Sequence, residues 1–264
     1  MSIILNEYKW AEQALQNRDL GRKPSQTLGI VAKYYLYTGT KKKDLRKALE
    51  NFYMQCRSKS SVKDMNAYVD NAIEQACKYP LSILDEIIVT DAEMKKIDSL
   101  DGAQLRKLAF TMLCIAKHRL LSRGDDNSWV SMKDSDIMKM ANISTSIRRQ
   151  CALFGKLIEL GLLIPSKKVD NLSTQVTFME DGTPAIYVRD FRNLGHQYMM
   201  HHGGPFYVCQ RCGLTERVKN PGVGRPPKYC DHCANEVLLQ RRVNATMRFR
   251  ASHKVDQDAS RPVA

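Results

Sequence analysis

The chain has 264 residues, enough for about two domains, and 43% of them are hydrophobic, close to the share in folded globular proteins. No apolar run reaches the ~18 residues of a membrane span, and the N-terminus lacks a basic start followed by an apolar run, so we expect neither a membrane partner nor a secretory signal. The 41 Lys and Arg against 28 Asp and Glu give a formal charge of +13 and a pI of about 9.4. Such a charge favours a polyanionic partner, of which nucleic acid is the commonest.

The chain begins with a segment that predicts a helical N-terminal domain, residues 1–80. Apolar residues recur there at helical spacing, as in Leu45, Leu49 and Phe52. A mildly acidic connecting segment follows at 81–102, for which we expect a strand or extended stretch and then a short helix.

Residues 103–190 predict a winged helix-turn-helix. The segment gives an amphipathic helix, a short strand in SWVSM, a short helix in KDSDIMKMANI, a tight turn and a longer helix. Two strands joined around Asp170 and Asn171 follow, with PAIYVRD as a candidate third strand. This order of elements is that of a winged helix, a fold that binds DNA in some proteins and docks other proteins elsewhere.

The longer helix is the candidate recognition helix. Ile147, Cys151, Phe154 and Ile158 recur at i, i+4, i+7 and i+11, and we expect this stripe to face the core. The N-terminal part of such a helix reaches base edges, where Arg binds guanine and Ser or Thr contact bases or phosphates. The predicted nucleic-acid contacts are polar and basic residues of this helix and two lysines of the wing: Thr145, Ser146, Arg148, Arg149, Lys156, Lys167 and Lys168.

The eight cysteines form two groups. Four are scattered singly among apolar residues, and we assign them to cores as small hydrophobic side chains: Cys56, Cys77, Cys114 and Cys151. The others form two Cys-x-x-Cys pairs separated by 17 residues: Cys209, Cys212, Cys230 and Cys233. A redox motif needs only one such pair, whereas two pairs at this spacing are typical of a four-cysteine Zn²⁺ site.

Four thiolates fill a tetrahedral shell, so we expect one structural Zn²⁺ with no position for a substrate water. Replacement of one cysteine by a nearby histidine is an open alternative, with free surface histidines as the simpler interpretation: His196, His201, His202 and His232. The chain has no P-loop, no paired carboxylates in a recognisable frame and no nucleophile–base arrangement, and we therefore predict that it is not an enzyme.

Residues 191–254 predict a C-terminal zinc ribbon or knuckle with a basic helix, followed by a disordered tail at 255–264. From Pro205 to Lys254, ten Lys and Arg face three acidic residues, a net of +7. GRPP resembles the core of an AT-hook over three residues, which a Pro/Gly turn explains equally well. The basic side chains expected on a nucleic-acid backbone are Arg225, Lys228, Arg241, Arg242 and Arg248.

Four segments together resemble a family of uncharacterised proteins of phages and mobile elements of Gram-positive bacteria. They are LRKLAFTMLCIAKHRL, DSDIMKMANISTSIRRQ, DFRNLGHQY and CQRCGLTERVKNPGVGRPPKYCDHC. The resemblance covers most of the chain and implies a phage origin and the cytoplasm of a bacterial host cell, but no established activity. Phage proteins of this build include transcription and replication factors, and some small phage proteins inhibit host defence nucleases.

We therefore expect a mainly α (α+β) protein that binds DNA as a regulator or a replication accessory, with RNA or a host ribonucleoprotein as further candidate partners. The alternative is an interaction protein that inhibits a host nucleic-acid machine, such as a CRISPR nuclease (an anti-CRISPR) or a polymerase. The oligomeric state does not follow from these patterns.

Overall fold

A computed structural model describes residues 3–21, 23–56, 62–123, 128–167, 173–222 and 224–259, without the side chains of 62–64, 123 and 248–259. Within these ranges the protein is mainly helical with small antiparallel sheets, which confirms the predicted mainly α class. The chain divides into two compact units, residues 1–198 and 199–264. None of the described helices is both long and apolar enough to cross a membrane.

The N-terminal helices pack around one hydrophobic core. They are α1 (Glu7–Asn17), α2 (Pro24–Tyr37), α3 (Lys42–Cys56) and α4 (Val62–Lys78). Helix α2 contacts each of the other three. Leu45, Leu49 and Phe52 of α3 are buried, so their helical spacing identified the packed face of this helix correctly.

The middle of the chain combines two small sheets with helices. Its elements are β1 (Ile87–Thr90), α5 (Asp91–Asp98), α6 (Ala103–Arg123), β2 (Trp129–Val130), α7 (Asp134–Met140), α8 (Ile147–Glu159), β3 (Leu163–Pro165), β4 (Thr174–Val176), β5 (Pro184–Val188) and α9 (Leu194–His201). Strand β4 lies between β2 and β3 and is antiparallel to both. Strand β5 pairs antiparallel with β1. The segment PAIYVRD therefore forms a strand, but in a separate sheet from the β3–β4 hairpin.

Helix α6 is the central helix of this region and contacts α5, α7 and α8. Its Lys117 donates to the carboxylate of Glu93, a side chain with no solvent exposure, at 2.6 Å. The same carboxylate accepts the backbone N–H groups of Thr90 and Glu180. A buried charge is tolerated when it is paired and hydrogen-bonded, so this group of contacts joins α5, α6 and the segment before β5.

Residues just before and within α9 contact the turn between α7 and α8. Asn142 adopts a φ of +52° in this turn. Its side chain donates to Asn193 Oδ1 at 3.0 Å and accepts from the backbone N–H of His196 at 3.2 Å. Gly195 lies so close that a Cβ at this position would be 1.9 Å from the Ala141 carbonyl oxygen. These contacts join the turn before α8 to the start of α9.

The buried face of α8 differs from the predicted one. Its buried residues are Leu153 and Leu157, whereas Ile147 is 78% exposed and Ile158 is 38% exposed. The two apolar stripes lie about 110° apart around the helix, at 100° per residue. Helix α8 packs against α6 and β3 through the leucine side, so the prediction that the Ile147 stripe faces the core is wrong.

The single cysteines also differ from the prediction. Cys114 is buried and Cys56 is half-buried, but Cys77 and Cys151 are exposed. The assignment of Cys77 and Cys151 to cores is therefore wrong. Helical spacing shows that a cysteine shares a face with apolar residues, but it does not show that another element covers that face.

The C-terminal unit contains a β-hairpin and one long helix: β6 (Phe206–Val208), β7 (Thr215–Arg217) and α10 (Asp231–Ala259). Strands β6 and β7 pair antiparallel. Helix α10 continues through residues 255–259, which belong to the segment predicted to be disordered, and residues 260–264 lie outside the described ranges.

Candidate metal centre and nucleic-acid surface

The four predicted ligands lie together in the C-terminal unit. The Sγ atoms of Cys209, Cys212, Cys230 and Cys233 are all within 4.8 Å of one another. Cys212 Sγ lies 3.7 Å from Cys230 Sγ, and all four thiols are free of disulfides. A tetrahedron with metal–sulfur bonds of ~2.3 Å has edges of about 3.8 Å, so the quartet has the dimensions of a metal site.

The β6–β7 hairpin forms the first half of this site. Cys209 directly follows β6, and its carbonyl accepts the N–H of Gly213 at 2.9 Å. Gly213 has a φ of +72°, a conformation that glycine adopts without the steric penalty of a Cβ. This glycine directly follows the second cysteine of the pair, and it turns the chain back towards β7.

The N-terminus of α10 forms the second half. Cys230 precedes the first residue of α10 and Cys233 lies in its first turn. The N–H of Ala234 bonds to the carbonyl of Cys230 at 2.8 Å. A helix N-terminus carries a partial positive charge that stabilises anions such as thiolates, which suits the second pair to metal binding.

The electrostatics of the quartet suit a bound cation. Burial opposes ionisation of the Cys209 thiol, but backbone N–H groups, foremost that of Cys230, outweigh it and lower its pKa to about 6. Burial and the neighbouring thiols raise the pKa of Cys233. Four sulfurs this close cannot all carry negative charge without a counter-charge, and a divalent cation at the centre would supply it. The donor set therefore fits a metal ion held by four thiolates.

Exposed His232 lies near the quartet. Its imidazole and Glu236 lie within 4.8 Å of the Cys233 thiol, and His232 Nδ1 is 3.7 Å from Glu236 Oε1. Cys209, Cys230 and Cys233 are buried. The mutual proximity of the four thiols and the burial of three of them favour the all-cysteine set over a histidine replacement.

The structure places the predicted residues of α8 at its start and on its exposed side. Ser146 is the N-cap and accepts the N–H of Arg149 at 3.3 Å. Thr145 is half-buried, and its carbonyl accepts from Gln150 Nε2 at 3.2 Å. Arg148 and Arg149 are exposed. Two guanidinium groups therefore reach solvent from the first turn of the helix.

The remaining predicted contacts are distributed along both units. Lys156 is exposed and pairs with Glu159 at 3.2 Å. Further exposed basic side chains follow β3, lie between the cysteine pairs and lie on α10: Lys167, Arg225, Lys228, Arg241 and Arg242. Lys168 and the side chain of Arg248 lie outside the described residues.

Two features of this region were missed from the sequence. Helical spacing predicts that the Ile147 stripe of α8 faces the core, because periodicity alone does not distinguish a covered from an uncovered apolar face. The contacts of Asn142 with Asn193 and His196 and the close approach of Gly195 to Ala141 were not predicted, although Asn and Gly are the residues that suit a turn and a close backbone approach.

Comparison with protein-family models, with curated proteins and with solved structures found no match for this chain.

Proposed function

We propose that this protein is a nucleic-acid-binding protein, with duplex DNA as its main partner, that uses a winged helix-turn-helix and a structural zinc module. One observation carries the proposal: exposed Arg148 and Arg149 lie in the first turn of α8, the helix that directly follows the turn. That is the part of a helix-turn-helix that reaches base edges. The order α6, β2, α7, α8, β3, β4 and the sheet order β2-β4-β3 support the winged-helix assignment.

We infer that the metal of the cysteine quartet is Zn²⁺. Four thiolate ligands in tetrahedral spacing are typical of structural zinc sites. Because the ligands fill the coordination shell, the ion holds the hairpin and α10 together and supplies no catalytic position. This supports a binding role rather than an enzymatic one. The resemblance to phage and mobile-element proteins adds a bacterial host cell as the expected setting.

The experiment that tests the DNA proposal replaces both arginines. A duplex selected by the intact protein from a random library is the probe. Arg148→Ala with Arg149→Ala should weaken binding to this duplex by about 1–3 kcal/mol for each arginine that binds a base. Folding should persist, because both side chains are exposed.

The matched control is Lys42→Ala with Lys43→Ala, which removes the same charge from the exposed start of α3. It should change affinity only slightly and leave selectivity unaltered. Equal reductions of affinity in the two double variants, or none in either, would show that α8 does not bind bases.

A second candidate function is supported by the exposed apolar stripe of α8. Ile147 is 78% exposed and Cys151 is exposed on the same side of the helix. Such a stripe is typical of a helix that docks on another protein. This supports an interaction protein that inhibits a host nucleic-acid machine, such as a CRISPR nuclease or a polymerase.

The two candidates differ in what remains bound after nuclease treatment of a host-cell extract. A docking protein would retain one host protein in a stoichiometric complex. Ile147→Glu would disrupt that complex, whereas the double arginine variant would retain it. A DNA-binding protein would instead release its partner when the DNA is digested.

A further inference from the structure

A cleft of about 550 Å³ opens within the C-terminal unit, beside α10. One side of α10 contributes Gln240, Arg241 and Asn244 to its lining, and the first cysteine turn contributes Gln210 and Arg211. Tyr229 also lines the cleft and packs against the cysteine cluster. Its volume lies in the ~300–1,000 Å³ range of small-ligand sites.

The charge of the cleft favours an anion. Arg241 makes no ion pair within the described part of the chain, and Arg211 reaches Glu236 at 3.4 Å while remaining about half exposed. Guanidinium groups bind phosphate through two parallel N–H donors. A phosphate between Arg211 and Arg241 would therefore find donors on both sides.

The carboxamides of the cleft present a donor and an acceptor next to each other. Gln240 Nε2 donates to Asn244 Oδ1 at 3.1 Å. This bond leaves the Gln240 carbonyl oxygen as an acceptor and the Asn244 amide nitrogen as a donor. Adenine offers the complementary pair, the N6 donor and the N7 acceptor, and Asn and Gln are the side chains that commonly read it.

Tyr229 adds an aromatic surface to these polar groups. The bases of single strands stack on aromatic side chains, and this contact forms with any base because every base has a flat aromatic face. The cleft thus offers three kinds of contact to one nucleotide. The arginines bind the phosphate, Tyr229 stacks on the base, and the carboxamide pair hydrogen-bonds to the edge of the base. We propose that this cleft binds one unpaired nucleotide of single-stranded DNA, with adenine preferred. This inference rests on the proposed nucleic-acid function and adds a base preference to the zinc module.

The test measures binding of the intact, zinc-loaded chain to the single-stranded octamers dA8 and dT8. The cleft predicts that dA8 binds about tenfold more tightly, the discrimination expected of one good base contact. Asn244→Leu should remove this preference while retaining binding to dT8, because the substitution removes the amide donor and leaves the charge unchanged.

Arg241 and Arg242 provide a matched pair, because they are adjacent on α10 and both exposed, and Arg241 alone of the two lines the cleft. Arg241→Ala should weaken binding to both octamers several-fold more than Arg242→Ala does. Zinc content and circular dichroism of each variant should match those of the parent, which separates loss of the site from loss of the fold.

Three results would overturn the cleft proposal: no binding of either octamer, no adenine preference in the parent, or equal effects of Arg241→Ala and Arg242→Ala together with an unchanged preference in Asn244→Leu. Failure of the proposed function can be told apart from failure of the cleft proposal, because that function is tested on duplex DNA through Arg148 and Arg149. Loss of adenine preference in Asn244→Leu alongside an unaffected α8 double variant would retain the cleft and remove the winged helix from DNA binding.

Discussion

At the scale of single residues, Gly195 determines how closely the start of α9 approaches the turn before α8. Its Cα lies against the carbonyl of Ala141, and any side chain there would overlap that backbone oxygen. Asn142 reinforces the approach through its hydrogen bonds to Asn193 and His196. The position of the exposed arginines thus depends on residues about 50 positions further along the chain.

Gly195→Ala should destabilise the larger unit by about 1–3 kcal/mol or more, because the backbone must move to admit the methyl group. Urea unfolding followed by far-ultraviolet circular dichroism measures this loss. Gly155→Ala is the control, since a Cβ there meets no atom within 4 Å and alanine favours helix by about 1 kcal/mol. Equal stability of the two variants would contradict the close approach described for Gly195.

The sequence predicts some residue-level features and misses others for a physical reason. Gly213 carries a local signal, because it lies directly beside a cysteine pair, where the backbone has to reverse within a few residues. Gly195 carries no such local signal, because the neighbour that requires it comes from a distant segment. Local geometry is encoded by neighbours along the chain, whereas close approach is encoded by the whole fold.

At the scale of elements, α8 carries two apolar stripes and only one is covered. Leu157 is fully buried, while Ile147 is mostly exposed. The helical period identifies α8 and its approximate limits, but it does not distinguish a stripe that packs on α6 from one that faces solvent. The choice depends on where α6 and the β3–β4 hairpin lie, which is tertiary information.

Leu157→Ala should cost about 2–5 kcal/mol of unfolding free energy, the range for removing a buried leucine side chain. Ile147→Ala should change stability by no more than about 0.5 kcal/mol, as for other exposed positions. Denaturant titrations of the two variants against the parent give both values. A larger cost for Ile147 than for Leu157 would mean that the predicted core stripe was correct after all.

The cysteine quartet, the candidate metal site, is the feature most fully predicted from the sequence, because two Cys-x-x-Cys pairs constrain their own geometry. Cys230→Ser should abolish stoichiometric zinc binding, measured by elemental analysis of protein purified without added metal. It should also unfold the C-terminal unit and leave the helices of residues 1–198 folded, because zinc binding supplies folding energy in such modules.

Cys151→Ser is the matched control, since Cys151 is exposed and outside the quartet. It should retain one zinc per chain and the parent's circular dichroism spectrum.

Acidification should release zinc from the parent, because protons compete with the metal for the thiolates and the affinity for zinc falls as pH falls. Less than half an equivalent of metal in the parent, with no metal-dependent folding, would refute the metal centre.

At the scale of the whole molecule, the positive charge is concentrated near the C-terminus. Residues 205–254 carry a net +7 of the total of +13, and Arg225, Lys228, Arg241 and Arg242 are exposed. The sequence alone predicts this concentration, because the positions of charged residues along the chain do not depend on the fold. Which surface the charged groups share depends on folding, and the cleft beside α10 was not predicted for that reason.

The most direct test of nucleic-acid binding is the salt dependence of duplex affinity for the intact chain. Each phosphate contact that releases a counterion should add ~0.9 to the slope of falling log K against log salt concentration. We predict a slope of several units for the intact chain, and a slope several units smaller after removal of residues 204–264. The shortened chain should retain most of its sequence preference, because we propose that α8 reads the sequence. Absence of duplex binding would contradict the account, and so would equal slopes of log K against log salt concentration for the two chains. Either result would indicate that the basic C-terminal unit binds a different partner.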